Sequence, residues 1–175
     1  MSSKFETLIS REEIAKRVEQ LGKEIRKAYG EETIDVLCVL NGSFIFCADL
    51  IRAIGGPLEV NFIKASSYGD GTESSGNVKV WGLDGLNLTN KKVLLVEDIV
   101  DTGNTIAALM PIIEKSGAES VQLASLLFKP ERNKIKVDIN YLGFEIEDHF
   151  VLGYGLDLAG KHRELADIVI YNPDA

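Results

Sequence analysis

Short, almost wholly apolar runs of strand length alternate along the chain with stretches of helical periodicity. The clearest of these runs are Ile34–Leu40 and residues 92–96, and each is followed by a polar turn and then by a helical stretch. A strand that is apolar on both faces is typical of a sheet buried between two layers, and alternation with helices favours parallel pairing. The sequence therefore predicts a single α/β domain over residues 1–175, with a mostly parallel central sheet flanked by helices.

The remaining elements follow from capping signals and periodicity. Ser10 and Glu13 form the capping-box pattern at the start of a first helix, and Gly30 stands where such a helix commonly ends. Further helices are predicted at residues 43–54 and 105–115, strands at residues 58–65, 78–81, 121–128, 137–144, 150–152 and 168–171, and a helical turn at residues 159–165. Residues 66–77 hold three glycines and almost no apolar side chain. A loop of this length is either a functional lid or a solvated hairpin tip.

The charge of the chain argues against a broad nucleic-acid surface. The net charge is −8, from 27 acidic and 19 basic residues, and no basic stripe is visible in the sequence. A surface for DNA or RNA usually carries such a stripe, so no nucleic-acid partner is expected. An anionic ligand would therefore be held by backbone amides, helix N-termini or a bridging divalent cation.

The expected compartment is the cytoplasm, without a membrane partner. No apolar run approaches the roughly 20 residues that a membrane-spanning helix needs, and the first residues lack the apolar stretch of a signal peptide. Cys38 and Cys47 lie in apolar surroundings and are expected to be buried thiols rather than a disulfide. With His149 and His162 as the only histidines, the chain cannot assemble a Cys/His zinc site, and neither histidine is assigned a role.

The stretch richest in chemical information follows the apolar run at residues 92–96. Glu97, Asp98 and Asp101 come where this strand ends, and Thr-Gly-Asn-Thr at residues 102–105 opens a helix. Ligands of parallel sheets bind at the carboxyl ends of the strands, and small residues at a helix start let N–H groups and hydroxyls surround a phosphate. The carboxylates are suited to ribose hydroxyls or a divalent cation. Alternatively, Asp101 or the threonine after it only caps the helix.

The segment Val-Glu-Asp-Ile-Val-Asp-Thr-Gly-Asn-Thr at residues 96–105 resembles the phosphoribosyl pyrophosphate signature of the type I phosphoribosyltransferases. With residues 65–68, 126–129 and 143–157, the chain resembles the hypoxanthine-guanine phosphoribosyltransferases from about residue 5 to its C-terminus. The resemblance implies purine salvage, in which a phosphoribosyl group passes to a 6-oxopurine and gives IMP or GMP. It also implies a small hood built from both terminal segments, magnesium as the cofactor, and a homodimer or homotetramer.

The resemblance assigns most of the polar positions to phosphoribosyl pyrophosphate. They are Thr102, Gly103, Asn104 and Thr105 for the 5′-phosphate, Glu97 and Asp98 for the ribose and magnesium, Asp157 for a second magnesium, and Asn41, Gly42 and Arg163 for pyrophosphate. Ser67 and Tyr68 are implied to lie in a loop that closes over the site. Related enzymes often carry lysine or arginine where Asn41 stands, so main-chain amides are expected to hold the pyrophosphate here. The loop at residues 40–42 can carry a non-proline cis peptide in this family.

Four residues are implied to meet the purine. Asp101 is the catalytic residue and exchanges a proton with N7, while Lys129 donates to the 6-oxo group. The ring of Phe150 stacks on the base, and the main chain at Val151 reads its edge. Without the resemblance, Lys129 would be a solvated loop residue and Phe150 a core residue; Arg163 retains the alternative of a surface helix position.

Two other functions stay open from the sequence. One is a regulatory protein that binds RNA on the same fold, and the other is a phosphoribosyltransferase that prefers xanthine. The order of preference among hypoxanthine, guanine and xanthine does not follow from the residues, and neither does the choice between dimer and tetramer.

Overall fold

A six-stranded sheet forms the middle of the molecule and carries the loops described below. The computed structural model describes residues 4–67 and 78–173, and its elements in this part of the chain have the following bounds. The strands are β1 Phe5–Ile9, β2 Ile34–Leu40, β3 Leu58–Ser67, β4 Val78–Trp81, β5 Lys92–Val100, β6 Ser120–Phe128, β7 Tyr141–Glu145, β8 Val151–Leu152 and β9 Ile168–Tyr171. The helices are α1 Arg11–Tyr29, α2 Phe44–Ile54 and α3 Asn104–Lys115, with a 3₁₀ turn at Pro130–Arg132.

The strand order of the large sheet is β4-β3-β2-β5-β6-β7, and every pairing in it is parallel except that of β3 with β4. The predicted fold class is therefore confirmed. The polar loops after β2, β5 and β6 leave neighbouring strands at the same edge of the sheet, as parallel pairing requires. A second, antiparallel sheet of order β1-β9-β8 joins both terminal segments and forms the hood.

Alternate side chains of the central strands fill two cores, one on each face of the sheet. Along β5, Leu94 and Val96 pack with the buried faces of α1 and α2, whereas Val93 and Leu95 pack with α3. All four side chains are fully buried. This burial on both faces is the reason that β2 and β5 read as continuous apolar runs.

The first helix shows how local signals set the bounds of an element. Ser10 caps α1 with both hydrogen bonds of the capping box, and Gly30 ends the helix with its N–H donated to the carbonyl of Arg26. The buried side chains of α1 recur at helical spacing and face the sheet: Ile14, Val18, Leu21, Gly22, Ile25 and Tyr29. Among the described residues, none of the helices combines the length and the apolar character needed to cross a membrane.

Three predicted elements differ from the structure. The segment at residues 159–165 contains tight turns and a bridge between Leu158 and Lys161 rather than a helical turn. Ala159 and His162 have φ of 51° and 73°, which a right-handed helix excludes. The strand expected from residue 137 begins only at β7, and β1 was not predicted at all. Ser67 and the residue before it were expected in a loop but belong to β3, which continues through Ser67; Tyr68 and the rest of that predicted loop lie outside the described residues.

Candidate functional site

The turn between β5 and α3 forms a small cradle at the edge of the sheet. Residues 99–106 line a cavity of about 70 Å³, and α3 begins after Gly103, whose φ of 86° places it in the left-handed region that favours glycine. The hydroxyl of Thr102 accepts a hydrogen bond from the N–H of Asn104 at 3.4 Å. Free N–H groups in the first turn of a helix attract anions, so this cradle has the size and polarity for a phosphate group.

The carboxylate of Asp101 does not cap α3. The N-cap is Gly103, which has no side chain to cap the helix, and the hydroxyl that accepts an N–H of the first turn belongs to Thr102. Instead, Oδ1 of Asp101 accepts a hydrogen bond from Nε of Arg132 at 2.7 Å, and the Asp101 carbonyl accepts one from Asn133 at 3.4 Å. The capping alternative for Asp101 is therefore wrong, and its carboxylate lies on the wall of a neighbouring cavity.

That larger cavity, of about 530 Å³, brings together five residues that the sequence placed at the base and the metal. Its lining comprises Ile99, Asp101, Lys129, Arg132, Asp148, Phe150, Val151, Leu156 and Asp157. It shares Ile99 and Asp101 with the phosphate cradle, so the two cavities are adjacent. The combination of one large space with an apolar ring, a lysine and carboxylates suits a flat polar heterocycle.

Lys129 and Phe150 occupy environments opposite to those expected from their residue types. Lys129 is only 7% exposed, and its Nζ lies 3.3 Å from Oδ1 of Asp148. Phe150 is 52% exposed, and its backbone carbonyl accepts the N–H of Tyr171 in the hood. A buried ammonium and an uncovered ring on one cavity wall contradict the alternatives of a solvated lysine and a core phenylalanine.

The adjacent carboxylates of Glu97 and Asp98 form an acidic pair in the last part of β5, where Glu97 is buried and Asp98 is half-buried. Burial and the neighbouring charge of Asp98 raise the pKa of Glu97 well above its usual range. Burial also raises the pKa of Asp98, although hydrogen bonds from Glu97 and from the N–H of Ile99 partly oppose this. Two carboxylates in a poorly solvated position repel one another, and a divalent cation between them would relieve that repulsion. Their oxygens are also the ligand type that hard divalent cations prefer.

No group of three or more His, Cys, Asp or Glu side chains converges as a metal site within residues 4–67 and 78–173. Magnesium is commonly held by one or two carboxylates together with substrate phosphates and water, rather than by a complete protein cage. The acidic pair of Glu97 and Asp98 fits this mode of binding, whereas it would not suffice for a structural zinc or calcium site.

The loop at residues 40–42 packs directly on this acidic pair. The Leu40–Asn41 peptide is cis, as the resemblance implied. A Cβ at Gly42 would overlap the Asp98 carboxylate, and a Cβ at Gly155 would overlap the carbonyl oxygen of Gly42. Three chain segments distant in sequence therefore meet at positions 42, 98 and 155, and only glycine permits their close approach.

Asp157 and Arg163 form an ion pair beside this junction. Nη2 of Arg163 lies 2.8 Å from Oδ1 of Asp157, and Nη1 donates to the carbonyl of Gly155 at 2.6 Å. The second oxygen of Asp157 accepts the N–H of Gly160 at 2.6 Å. Arg163 is thus a partly buried turn residue and not a surface helix position. Both carboxylate oxygens of Asp157 therefore already have protein partners, and a metal ion bound there would share these oxygens with Arg163 and Gly160.

Two cavity residues, Arg132 and Asp148, were missed by the sequence reasoning. Arg132 contacts both Asp101 and Asp148, at 2.7 and 3.4 Å. Asp148 in turn contacts Lys129. Asp101 and Arg132 are 31 residues apart, with α3 and β6 between them, and Arg132 and Asp148 are 16 residues apart, with β7 between them. No periodicity or spacing therefore signals these contacts. The only available signal was the position of Arg132 in the short turn directly after Lys129.

Other highlighted residues lie outside the two cavities or outside the described chain. Ser67 ends β3, where it pairs with Val78. His149 pairs with Glu147 at 3.2 Å, and the ring of His162 packs against Phe5 at a centroid distance of 5.2 Å. Both histidines therefore have structural partners and no contact with the candidate site in the cavity linings.

Comparison with known proteins gives consistent matches over nearly the whole chain. The sequence profile of the phosphoribosyl transferase domain matches residues 6–158. A hypoxanthine phosphoribosyltransferase from Haemophilus influenzae is 42% identical over 167 residues, covering 93% of each chain. A hypoxanthine-guanine phosphoribosyltransferase from Bacillus subtilis is 39% identical over 95% of this chain and 92% of its own. A solved hypoxanthine-guanine phosphoribosyltransferase from Bacillus anthracis superposes with a TM-score of 0.91 at 41% identity, covering 95% and 98% of the two chains.

Proposed function

The chain belongs to the phosphoribosyl transferase family, and from that premise we propose that it transfers the 5-phosphoribosyl group of phosphoribosyl pyrophosphate to hypoxanthine or guanine. The products are IMP or GMP and pyrophosphate, the outcome of purine salvage. The observation that carries the proposal is one cavity wall on which a buried Lys129, an exposed Phe150 ring and Asp101 lie together, next to the phosphate cradle.

The purine is recognised by complementary chemistry on this wall. The ammonium of Lys129 donates to the 6-oxo group, and a donor from a charged group gives a stronger hydrogen bond than a neutral one. The face of Phe150 stacks on the ring, which its 52% exposure permits. The main chain at Val151, in β8, meets the edge of the base. Asp148 keeps Lys129 oriented at the rim of the cavity.

Phosphoribosyl pyrophosphate is bound mainly by backbone groups, in keeping with the net charge of −8. The 5′-phosphate occupies the cradle at residues 102–105, where the N–H groups and hydroxyls of the turn surround it. The pyrophosphate lies along the loop at Asn41 and Gly42, with Arg163 as the nearby cation. The local positive field comes from amides and one guanidinium rather than from bulk charge.

Glu97 and Asp98 are the residues that would hold Mg²⁺ together with oxygens of the ribose and pyrophosphate, and Asp157 would hold a second ion. When bound, the cation offsets negative charge on the leaving pyrophosphate. The raised pKa values of Glu97 and Asp98 support this assignment, because a cation relieves the repulsion and desolvation that raise them.

The chemical step breaks the bond between ribose C1 and the pyrophosphate oxygen while the purine nitrogen attacks C1. Positive character develops on the sugar, and the base loses a proton as it bonds. The carboxylate of Asp101 accepts that proton at N7, because it lies on the wall of the base cavity and is held in place by Arg132. Lys129 stabilises the 6-oxo group as electron density shifts within the ring.

We also propose a cytoplasmic, single-domain enzyme that assembles as a homodimer or homotetramer. The buried free thiols of Cys38 and Cys47 fit a reducing compartment. Phe62 and Trp81, which are 54% and 40% exposed on neighbouring strands, support an interface between copies. Analytical ultracentrifugation distinguishes the dimer from the tetramer by mass.

The test is a nucleobase panel with phosphoribosyl pyrophosphate, assayed with magnesium and with excess chelator. We expect nucleotide formation from hypoxanthine, guanine or both, and its loss in chelator. Turnover of xanthine alone would favour the xanthine-preferring alternative, and full activity in chelator would remove the metal assignment. A parallel RNA filter-binding assay tests the regulatory alternative, for which retention of RNA without turnover of any base is the decisive result.

A further inference from the structure

Four side chains of alternating charge run along the wall of the base cavity. Nε of Arg132 donates to Oδ1 of Asp101 at 2.7 Å, and Nη1 lies 3.4 Å from Oδ2 of Asp148. The other oxygen of Asp148 accepts from Nζ of Lys129 at 3.3 Å. One guanidinium therefore connects the residue that exchanges the proton with the residue that binds the 6-oxo group.

The backbone holds Arg132 in register with Asp101. The turn Pro130–Arg132 begins directly after β6, and the N–H of Lys129 donates to the carbonyl of Val100 at 3.0 Å. The carbonyl of Thr102 accepts the N–H groups of both Lys134 and Ile135, at 3.1 and 3.2 Å. The loops after β5 and β6 are thus attached to each other on both sides of Arg132.

We propose that Arg132 is a positioning residue that orients the Asp101 carboxylate toward the base and, through Asp148, steadies the ammonium of Lys129. The inference rests on the proposed function, because it assigns Asp101 to proton exchange and Lys129 to base binding. Arg132 lines the base cavity and not the phosphate cradle, which it reaches only through its contact with Asp101. Its effect is therefore on the chemical step and not on phosphoribosyl pyrophosphate.

The geometry of a guanidinium suits this task. Its N–H groups form a rigid planar fork, so contact through Nε and Nη1 fixes the angle between the two carboxylates. The contact engages only Oδ1 of Asp101 among the described hydrogen bonds, which leaves Oδ2 for the purine. The charge of Asp101 raises the pKa of Arg132, as does that of Asp148, so the guanidinium stays charged throughout the accessible pH range.

The alternative is an ordinary surface ion pair. The side chains of Arg132 and Asp101 are 46% and 36% exposed, and pairs that exposed contribute little to stability. Loss of such a pair would leave both the melting temperature and the kinetics nearly unchanged. A positioning role predicts the opposite for kinetics, since small displacements of a reacting group have large effects on rate.

The first experiment compares Arg132→Gln with Arg132→Lys in the wild-type background, by steady-state kinetics with hypoxanthine. We expect kcat to fall on the order of 10- to 100-fold in Arg132→Gln, while KM for phosphoribosyl pyrophosphate changes by less than about two-fold. KM for hypoxanthine should rise modestly through the weakened Asp148–Lys129 contact. Arg132→Lys should recover part of kcat, because an ammonium restores the charge but not the fork.

The second experiment is a double-mutant cycle with Asp101→Asn. If Arg132 acts through the Asp101 carboxylate, Arg132→Gln lowers kcat by less than about two-fold once that carboxylate is absent. If the two residues acted independently, the double variant would show the product of the two single-variant losses in kcat. The matched control is Arg11→Gln, which removes another exposed Arg–Asp pair joined through Nε, to Asp167 at 3.1 Å and away from both cavities. This control should leave kcat unchanged.

The outcomes separate this inference from the proposed function. An active wild type whose kcat is unchanged in Arg132→Gln overturns the positioning role alone, and so does an effect confined to KM for phosphoribosyl pyrophosphate. The positioning role is also overturned if the kcat losses of Arg132→Gln and Asp101→Asn multiply in the double variant. A wild type that transfers phosphoribosyl groups to no base overturns both proposals. Thermal unfolding of each variant shows that the kinetic changes come from folded protein.

Discussion

The backbone of Gly42 lies directly against the carboxylate of Asp98, so closely that a Cβ at position 42 would overlap Oδ2. Gly155 packs on the carbonyl oxygen of Gly42 from the hood side. The loop after β2 is thereby held between the acidic pair and the segment that carries Asp157. The loop proposed to hold pyrophosphate and the carboxylates proposed to hold the metal therefore belong to one packed unit rather than to two separate loops.

Gly42→Ala is expected to weaken binding of phosphoribosyl pyrophosphate, because the added methyl must displace either Asp98 or the loop itself. We expect KM for this substrate to rise on the order of 10-fold or more. The matched control is Gly143→Ala, whose Cβ would meet the carbonyl of Leu126 within the sheet. The control should lower the melting temperature and leave the KM unchanged. Equal KM values for wild type and Gly42→Ala would contradict the arrangement.

Lys129→Ala removes the buried ammonium that is proposed to donate to the 6-oxo group. We expect KM for hypoxanthine to rise by a factor that corresponds to roughly 1.5–3 kcal/mol, the range for a hydrogen bond to a charged group. KM for phosphoribosyl pyrophosphate should change far less, since Lys129 does not line the phosphate cradle. Lys115→Ala, at the exposed end of α3, is the control. An unchanged KM for hypoxanthine would mean that Lys129 pairs with Asp148 and does not contact the purine.

Asp101→Asn keeps the size of the side chain and an oxygen for the contact with Arg132 but removes the carboxylate proposed to accept the proton. The forward rate should fall on the order of 10²- to 10⁴-fold, the usual contribution of general acid–base catalysis. Binding of phosphoribosyl pyrophosphate should be preserved, because the cradle at residues 102–105 is intact. Single-turnover measurements with saturating substrates test this directly. Near-normal turnover would remove Asp101 from the chemistry.

The ion pair of Arg11 with Asp167 predicts a pH-dependent contribution to stability. Hydrogen bonds from the side chain and N–H of Arg11 lower the pKa of the Asp167 carboxyl. A lowered pKa in the folded state means that the stabilisation is present above the unfolded carboxyl's pKa of about 3.9 and is lost as pH falls through the folded value. Arg11→Gln should therefore reduce the urea midpoint at pH 7, and the difference between the two proteins should shrink as the pH falls below about 3.9. If the urea midpoints of wild type and Arg11→Gln differed by the same amount at every pH, the ion pair would not be the source of the pH dependence.

The sheet was predictable because its strands are buried on both faces. β2 and residues 93–96 of β5 are almost wholly apolar, as expected for strands packed between two helical layers. β1 was not predicted, since its five residues alternate weakly and pair only with β9, far along the chain. The turn-rich segment at residues 159–165 was misread as helical because positive φ at Ala159 and His162 has no signature in those residue types.

The site was predictable where its residues are contiguous and obscure where they are not. The cradle at residues 102–105 follows from one short segment, and the predictions for Lys129 and Phe150 came from a family resemblance rather than from spacing. Their burial and exposure fit that resemblance. Arg132 and Asp148 have ordinary positions in an irregular region, and only tertiary contact reveals their link to Asp101.

The pairing of β1 with β9 has a consequence for the order of events during synthesis. Residues 5–9 are synthesised before every strand of the central sheet, yet the strand that completes their hydrogen bonds spans residues 168–171. The hood can therefore be completed only after all strands of the central sheet have been synthesised, and the hydrogen bond from the N–H of Tyr171 to the carbonyl of Phe150 is among the last contacts of the cavity wall to become available. During synthesis, the residues of the phosphate cradle are thus present well before those that complete the wall proposed to bind the base.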